Sequence, residues 1–226
     1  MTRWTAHSPP DAVLFDLDGT LLDTAPDMIG ALNAICAEEG RKPVAYEHAR
    51  SSVSNGAVGL LRLAFPGFDP AVNGDLHRRY LDLYAARLAV ETRLFPDLGT
   101  LLDRLEAGAV PWGVVTNKPA HLTDPLMTAM GLHLRSACTV SGDTLPERKP
   151  HPRPVLFALD RLGANPARSL YVGDARRDIE SGRSAGATTI AVRYGYVEPG
   201  QDPGAWGADY VTDTTMDLLS LLKWDH

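Results

Sequence analysis

Four short apolar runs constrain this chain more than any other feature. Residues 12–15 (AVLF), 112–115 (WGVV), 170–172 (LYV) and 189–192 (TIAV) are apolar without alternation, and the first three run directly into Asp16, Thr116 and Gly173. Segments this short, apolar on both faces, read as parallel strands covered by helices on both sides of a sheet. Helical patterns lie between them at 98–107, 122–130, 155–162 and 179–185, and each runs into a glycine: Gly108, Gly131, Gly163 and Gly186. Glycine just past a helix end suits the left-handed cap conformation. Strands alternating with helices imply right-handed crossovers, so the expected class is α/β, a Rossmann-like parallel sheet flanked by helices. Chemistry in such a sheet belongs at the carboxyl ends of the strands. Residues 24–93 break the rhythm with helical patterns and no convincing strand. They are expected to form an inserted helical cap, leaving 1–23 and 94–226 as the catalytic core.

With 226 residues, 44% of them hydrophobic, there is enough material for a substantial core. The 22 Lys and Arg against 28 Asp and Glu give a net charge of -6, and no basic run could track a phosphate backbone, so nucleic acid is not the expected partner. Opposite charges balance across 24–93, which puts the acidic excess outside the insert. Cys36 and Cys138 are the two cysteines, which suggests neither a disulfide framework nor a thiolate zinc site. Residues 1–10 carry no apolar segment of signal-peptide length and no window approaches a bilayer span. A soluble, cytoplasmic protein, monomer or homodimer, with no membrane contact is expected.

The chemistry concentrates where those runs end. Asp16 and Asp18 follow the first run two residues apart, and extended geometry through Asp18 would put both on one side of the strand. Gly19 lets the backbone turn towards a ligand, and the N–H groups of Gly19 and Thr20 are expected to hold an anion. The second run leads into Thr116, Asn117, Lys118 and Pro119, a hydroxyl, backbone donors and an ammonium ahead of a helix, although such residues also serve as ordinary caps. Lys149 stands between Arg148 and the prolines Pro150 and Pro152. The third run ends at Gly173-Asp174, with Asp178 placed to share a helix face with Asp174. Two carboxylates about 4 Å apart repel by about 4 kcal/mol at an effective dielectric near 20, so such a cluster calls for a cation. Its all-oxygen donor set favours Mg²⁺ over zinc.

These residues carry a resemblance. From D-L-D-G-T-L at 16–21, through T-N-K-P at 116–119 and K-P-H-P at 149–152, to G-D-x-x-x-D at 173–178, the chain is similar to haloacid dehalogenase superfamily phosphatases with a helical cap after the first motif. The resemblance implies Asp16 as nucleophile, forming an aspartyl phosphate, and Asp18 as general acid and base. Thr116 and the backbone at Asn117 would hold phosphoryl oxygens, and Lys149 would neutralise them and orient Asp16. Mg²⁺ would be bound by Asp16, Asp174 and the Asp18 carbonyl, with Asp178 supporting the shell. A small phosphorylated metabolite is the implied substrate. The cap type and the second and third motifs look like phosphoglycolate phosphatases, which is the activity the resemblance implies first, with an amino-sugar phosphatase as the alternative. The stretches 112–119, 177–183, 193–196 and 206–209 are similar to bacterial N-acetylmuramic acid 6-phosphate phosphatases of cell-wall recycling. Sugar phosphomutases share these motifs and differ in the phosphoryl acceptor.

Within the insert, Ser54-Asn55-Gly56 resembles the small-residue turn that faces the active site in phosphoglycolate phosphatases, a plain interhelical turn being the alternative. Arg62, Arg78 and Arg79 are expected on solvated faces, and His151 in a structural part between its prolines. The chain lacks G-x-S-x-G, G-x-G-x-x-G and G-x-x-x-x-G-K-[ST], which sets aside serine hydrolases and the common nucleotide folds.

Overall fold

The computed structural model describes residues 3–6 and 8–223. Strand β1 (Val13–Phe15) is followed by a short strand β2 (Leu22–Asp23) and the helices α1 (Ala25–Glu38), α2 (Tyr46–Arg50), α3 (Gly56–Ala64) and α4 (Gly74–Ala85). Strand β3 (Arg93–Leu94) brings the chain back, and α5 (Leu98–Ala107), β4 (Trp112–Val115), α6 (Ala120–Ala129), β5 (Cys138–Val140) and α7 (Arg153–Arg161) come next. The chain finishes with β6 (Leu170–Gly173), α8 (Arg176–Ser184), β7 (Thr188–Val192), β8 (Tyr210–Thr212) and α9 (Thr215–Leu221).

Six strands form one parallel sheet in the order β5-β4-β1-β6-β7-β8. All four apolar runs are strands in it. Every residue of β1, β4, β6 and β7 is buried, as continuous apolar sequence requires of strands covered on both faces. Val13, Phe15, Trp112 and Val172 face the leucines of α5 and α9, whereas Leu14, Val115 and Tyr171 face Val155, Ala158 and Leu159 of α7. That is the period-two alternation of a strand expressed in two separate apolar layers.

The structure departs from the sequence reading in three respects. Strands β5 and β8 lie at the two edges and mix apolar residues with Thr and Tyr that stay partly exposed, so they lack the signature of the inner strands. Helices α6, α7 and α8 start earlier than their apolar periodicity does, at Ala120, Arg153 and Arg176, because their first turns are polar or proline-bearing. Gly131, Gly163 and Gly186 have positive φ as expected, but Gly108 does not; the left-handed residue there is Ala109, at φ 51°.

Residues 25–85 are helical apart from their connections, and Tyr80 and Tyr84 of α4 pack with Met28, Ile29 and Leu32 of α1 in the same apolar cluster that reaches the sheet. The two connections to the sheet run side by side as an antiparallel pair, Leu22 opposite Leu94 and Asp23 opposite Arg93. Asp27, wholly buried in the first turn of α1, accepts the Glu91 N–H (3.0 Å), the Thr92 N–H (2.8 Å) and the Thr92 hydroxyl (2.8 Å) of the returning chain. Among the described residues no helix is long and apolar enough to cross a membrane.

Candidate active site

Strand β1 lies between β4 and β6, where successive crossovers leave the sheet in opposite directions, and the crevice this creates opens at the carboxyl ends. Asp16 follows β1, Thr116 follows β4 and Asp174 follows β6, so strand order alone brings three distant sequence segments together.

Lys149 lies at the centre of this edge, with its side chain 1% exposed and all three ammonium donors engaged. Its Nζ is 2.8 Å from Asp16 Oδ1, 2.7 Å from Asp178 Oδ1 and 2.8 Å from the Val115 carbonyl. The loop carrying it is clamped by Asn117, whose side chain donates to the Lys149 carbonyl (3.0 Å) and accepts the Lys149 N–H (3.1 Å). Asp16 Oδ1 also accepts the Leu17 N–H at 2.7 Å, which fixes the rotation of the carboxylate. Asp178 reaches back with Oδ2 to the Ala175 N–H (3.0 Å), so it is held both by the first turn of α8 and by Lys149.

Asp16, Asp174 and Asp178 are buried, with candidate ligand oxygens all within 4.8 Å of one another. Burial pushes the Asp16 carboxyl up to about 6 against the pull of Lys149, with the Asp178 charge adding to the rise. Burial, then the charges of Asp16 and Asp178, push Asp174 up to about 7. Among the described residues Lys149 is the ammonium that pairs with this cluster, and it reaches Asp16 and Asp178 but forms no ion pair with Asp174. Asp174 instead accepts neutral donors at Oδ2: the Tyr196 N–H (2.8 Å) and the Ser54 hydroxyl (2.9 Å). A cluster of hard oxygen donors whose charge exceeds its protein partners fits Mg²⁺.

Asp18 does not continue the strand. The extended geometry ends with β1, and the Asp18 carboxylate leaves the cluster to accept Thr24 Oγ1 (2.7 Å) and Lys118 Nζ (2.8 Å) at Oδ1. Lys118 is itself buried, 2.8 Å from the Tyr84 hydroxyl and 4.7 Å above the Tyr84 ring. The expectation that Gly19 offers its N–H group to an anion is corrected. The Gly19 N–H donates to the Leu22 carbonyl at 3.0 Å, and Thr20 is fully buried, its hydroxyl 3.4 Å from Asp174 Oδ1. Their contribution is to shape the wall around Asp174: Gly19 has φ +84°, and a Cβ there would stand 2.2 Å from Asp174 Oδ2.

A cavity of about 410 Å³ opens over Asp16, Asp18, Thr116 and Asn117. Its roof comes from the helical insert, through Met28, Val53, His77, Tyr80, Leu81 and Tyr84, and Ser54 and Asn55 line it too, so the small-residue turn does face the site. Arg78 and Arg79 pair on the surface with Asp75, Asp82, Glu38 and Glu39, away from the cavity, and Arg62 is exposed. The His151 ring accepts the Arg153 N–H at 3.2 Å, a local bond outside the cavity lining. Sequence reasoning missed the aromatic roof, the Lys118 pairing with Asp18, the Tyr196 N–H on Asp174, and Arg177. The adjacent arginines inside G-D-x-x-x-D were the signal for the last, a cation placed within an acidic motif.

The comparisons with known proteins agree with this geometry. Residues 13–192 match the family model of the haloacid dehalogenase-like hydrolases. The chain is 44% identical over 213 residues to an N-acetylmuramic acid 6-phosphate phosphatase of Pseudomonas putida, covering 93% of this chain and 95% of that protein. It is 41% identical over 215 residues to a phosphoglycolate phosphatase of Xanthomonas campestris, covering 95% and 97%. Among solved structures, one described as a predicted phosphoglycolate phosphatase from Haemophilus somnus superimposes with a TM-score of 0.83 at 27% identity, covering 96% of this chain and 99% of that one.

Proposed function

The chain belongs to the haloacid dehalogenase-like hydrolase family and is a phosphatase of that family, and from this premise we propose that it hydrolyses a small-metabolite phosphomonoester, with Mg²⁺, through an aspartyl phosphate on Asp16. The observation that carries the reading is the placement of Asp16: it is held by Lys149 at 2.8 Å beneath a cavity into which Asp18 also faces, two residues on, from a separate hydrogen-bonded seat. Residues 1–23 and 94–226 act as the catalytic core and 24–93 as the cap, a division supported by the paired connections β2 and β3.

Asp16 attacks phosphorus, a bond forms from its carboxylate oxygen to phosphorus, and the ester P–O bond breaks. Asp18 gives its proton to the leaving oxygen, then takes one from the water that cleaves the acyl phosphate. Lys149 neutralises charge on both Asp16 and the phosphoryl oxygens, and Thr116 with the Asn117 backbone lines the space those oxygens occupy. Asp16, Asp174 and the Asp18 carbonyl, supported by Asp178, would hold Mg²⁺, which when bound supplies charge stabilisation for the transferring phosphoryl group. Positioning and electrostatics of this kind are the main requirement of a loose phosphoryl-transfer transition state.

The relatives carry two substrate names, and the cavity bears on the choice. Two-carbon phosphoglycolate would leave most of a 410 Å³ space to water, whereas the ring, acetamido and lactyl arms of N-acetylmuramic acid 6-phosphate would fill more of it against the partly exposed roof residues Val58, His77 and Leu81. That favours the amino-sugar phosphate, with phosphoglycolate-type activity as the second reading, resting on relatives of that name. Measured side by side, a kcat/KM at least about tenfold higher for 2-phosphoglycolate, about 1.4 kcal/mol in transition-state binding, would reverse this order. The mechanism is tested by acid-quenching the enzyme during turnover and reducing with borohydride: homoserine at position 16 is expected, and its absence with a label elsewhere would refute Asp16 as nucleophile. Transfer to a second sugar phosphate in place of water would identify a phosphomutase.

A further inference from the structure

Lys118, Arg148 and Arg177 line the cavity and Lys149 lies at its acidic end; the two lysines are committed to carboxylates, and Arg148 is exposed to solvent. Lys149 is paired with Asp16 and Asp178, and Lys118 with Asp18. Arg177, half-buried in the first turn of α8, is the exception. Among the described residues no carboxylate lies within ion-pair distance of it, its Nη2 donates to the Ser54 carbonyl at 2.7 Å, and its Nε is buried without a partner. It lines both the main cavity and a smaller adjoining one of about 100 Å³ bounded by Ser54, Asp174 and Tyr196. Burial works against its charge, but Asp178, Asp16 and Asp174 favour that charge from beyond ion-pair distance; what is left open is the buried Nε–H donor, a cost that a nearby anionic acceptor would lessen.

We propose that Arg177 is a specificity-determining residue that binds a second anionic group of the substrate, a carboxylate separate from the phosphoryl group. The inference rests on the phosphatase reading above. The phosphoryl group belongs over Asp16, where Lys149 serves it; Arg177 stands to the cap side of Asp174, beside the Ser54-Asn55 turn, and addresses a different part of the ligand. Its planar fork suits the two oxygens of a carboxylate better than an ammonium would. Tied to the Ser54 carbonyl, the guanidinium is also pre-positioned by the cap, so little side-chain freedom is lost when the carboxylate arrives.

Matched ester pairs test this in the full-length Mg²⁺-supplied enzyme: 2-phosphoglycolate against 2-hydroxyethyl phosphate, and N-acetylmuramic acid 6-phosphate against N-acetylglucosamine 6-phosphate. The wild type is expected to prefer the carboxylated member of at least one pair by about tenfold or more in kcat/KM, the size of a charge-assisted hydrogen bond. Arg177→Met should bring that ratio to within about threefold of unity, and Arg177→Lys should lower it at least about threefold, since charge remains without the fork. Where Arg177→Met does not fold, as judged by thermal unfolding, Arg177→Lys carries the test. A ratio unchanged in the folded variant, with both members slowed equally, would overturn the proposal, as would a wild type indifferent to the carboxylate in both pairs. Wild-type turnover of p-nitrophenyl phosphate but of none of the four esters overturns the proposal alone; no turnover of any ester removes the phosphatase reading with it.

Discussion

Replacing Asp174 with Asn should stabilise the metal-free protein above neutral pH and leave it unchanged in acid. Asp174 is buried, with its carboxyl raised from 3.8 to about 7, so between those values the folded state holds a proton that the unfolded chain has released. Stability from this group is therefore full below pH 4 and is lost as pH rises to about 7. Three units at about 1.4 kcal/mol each give an upper figure of ~4 kcal/mol; because Asp16 shares the same field, we expect ~3 kcal/mol. The amide keeps the local bonds, its oxygen accepting the Tyr196 N–H and the Ser54 hydroxyl and its NH₂ facing Thr20 Oγ1. For a chain this size the gain is roughly 6–12 °C in Tm. Thermal unfolding in EDTA at pH 3 and pH 8 reads it: near-equal midpoints at pH 3, and a higher midpoint for Asp174→Asn at pH 8. Saturating Mg²⁺ should invert the order at pH 8, because ligand binding stabilises the wild type more than a variant lacking that ligand charge. A wild type and variant that differ equally at both pH values would refute the buried-charge argument.

Asp16→Asn should fold normally and retain less than a few per cent of turnover on any ester, since the amide is nearly isosteric but a poor nucleophile. Asp18→Asn should lose about 10²- to 10⁴-fold in kcat on alkyl phosphates and less on p-nitrophenyl phosphate, whose leaving group needs little protonation; equal losses on both would remove the general-acid role. EDTA should abolish activity and Mg²⁺ restore it, while Ca²⁺, with its longer and looser coordination, should inhibit; full turnover in metal-free buffer would contradict the cluster's need for a cation.

The parts of the fold legible in the sequence are those buried on both faces. β1, β4, β6 and β7 announce themselves because every residue is enclosed, whereas β5 and β8 stand at the sheet edges with Thr139 and Val211 turned partly to solvent, and nothing in their composition separates them from loop. Asp16, Thr116 and Asp174 were legible because strand-end chemistry follows from parallel topology, and Asp178 from its spacing to Asp174, whereas Lys149 follows an unrecognised edge strand and took its role from the family resemblance. Lys118 was visible as a residue but its pairing with Asp18 was not, since that depends on the chain leaving extended geometry after Phe15. The roof residues His77, Tyr80 and Tyr84 carry no local signal at all: they read as one amphipathic face of α4, and only the folding of α4 back against α1 places that face at the cavity roof. Gly19 shows another case: the turn expected of it is present, at φ +84°, whereas the room its missing Cβ makes for Asp174 had no signal in the sequence.

The paired strands β2 and β3 have an evolutionary consequence. Because the excursion from Thr24 to Thr92 leaves from and returns to a separate two-stranded pair, β2 and β3, and is held there by Asp27, its length and content can change with little effect on the register of the strands that lead to Asp16 and Asp174. Insertions at a site whose ends are already held together add little closure entropy. Mutation and exchange can thus remodel the roof while the floor stays intact, so preference for one ester over another drifts more readily than the ability to cleave a phosphate. The freedom is not complete: Ser54 on Asp174 and Tyr84 on Lys118 are the points where a remodelled roof must still meet the floor.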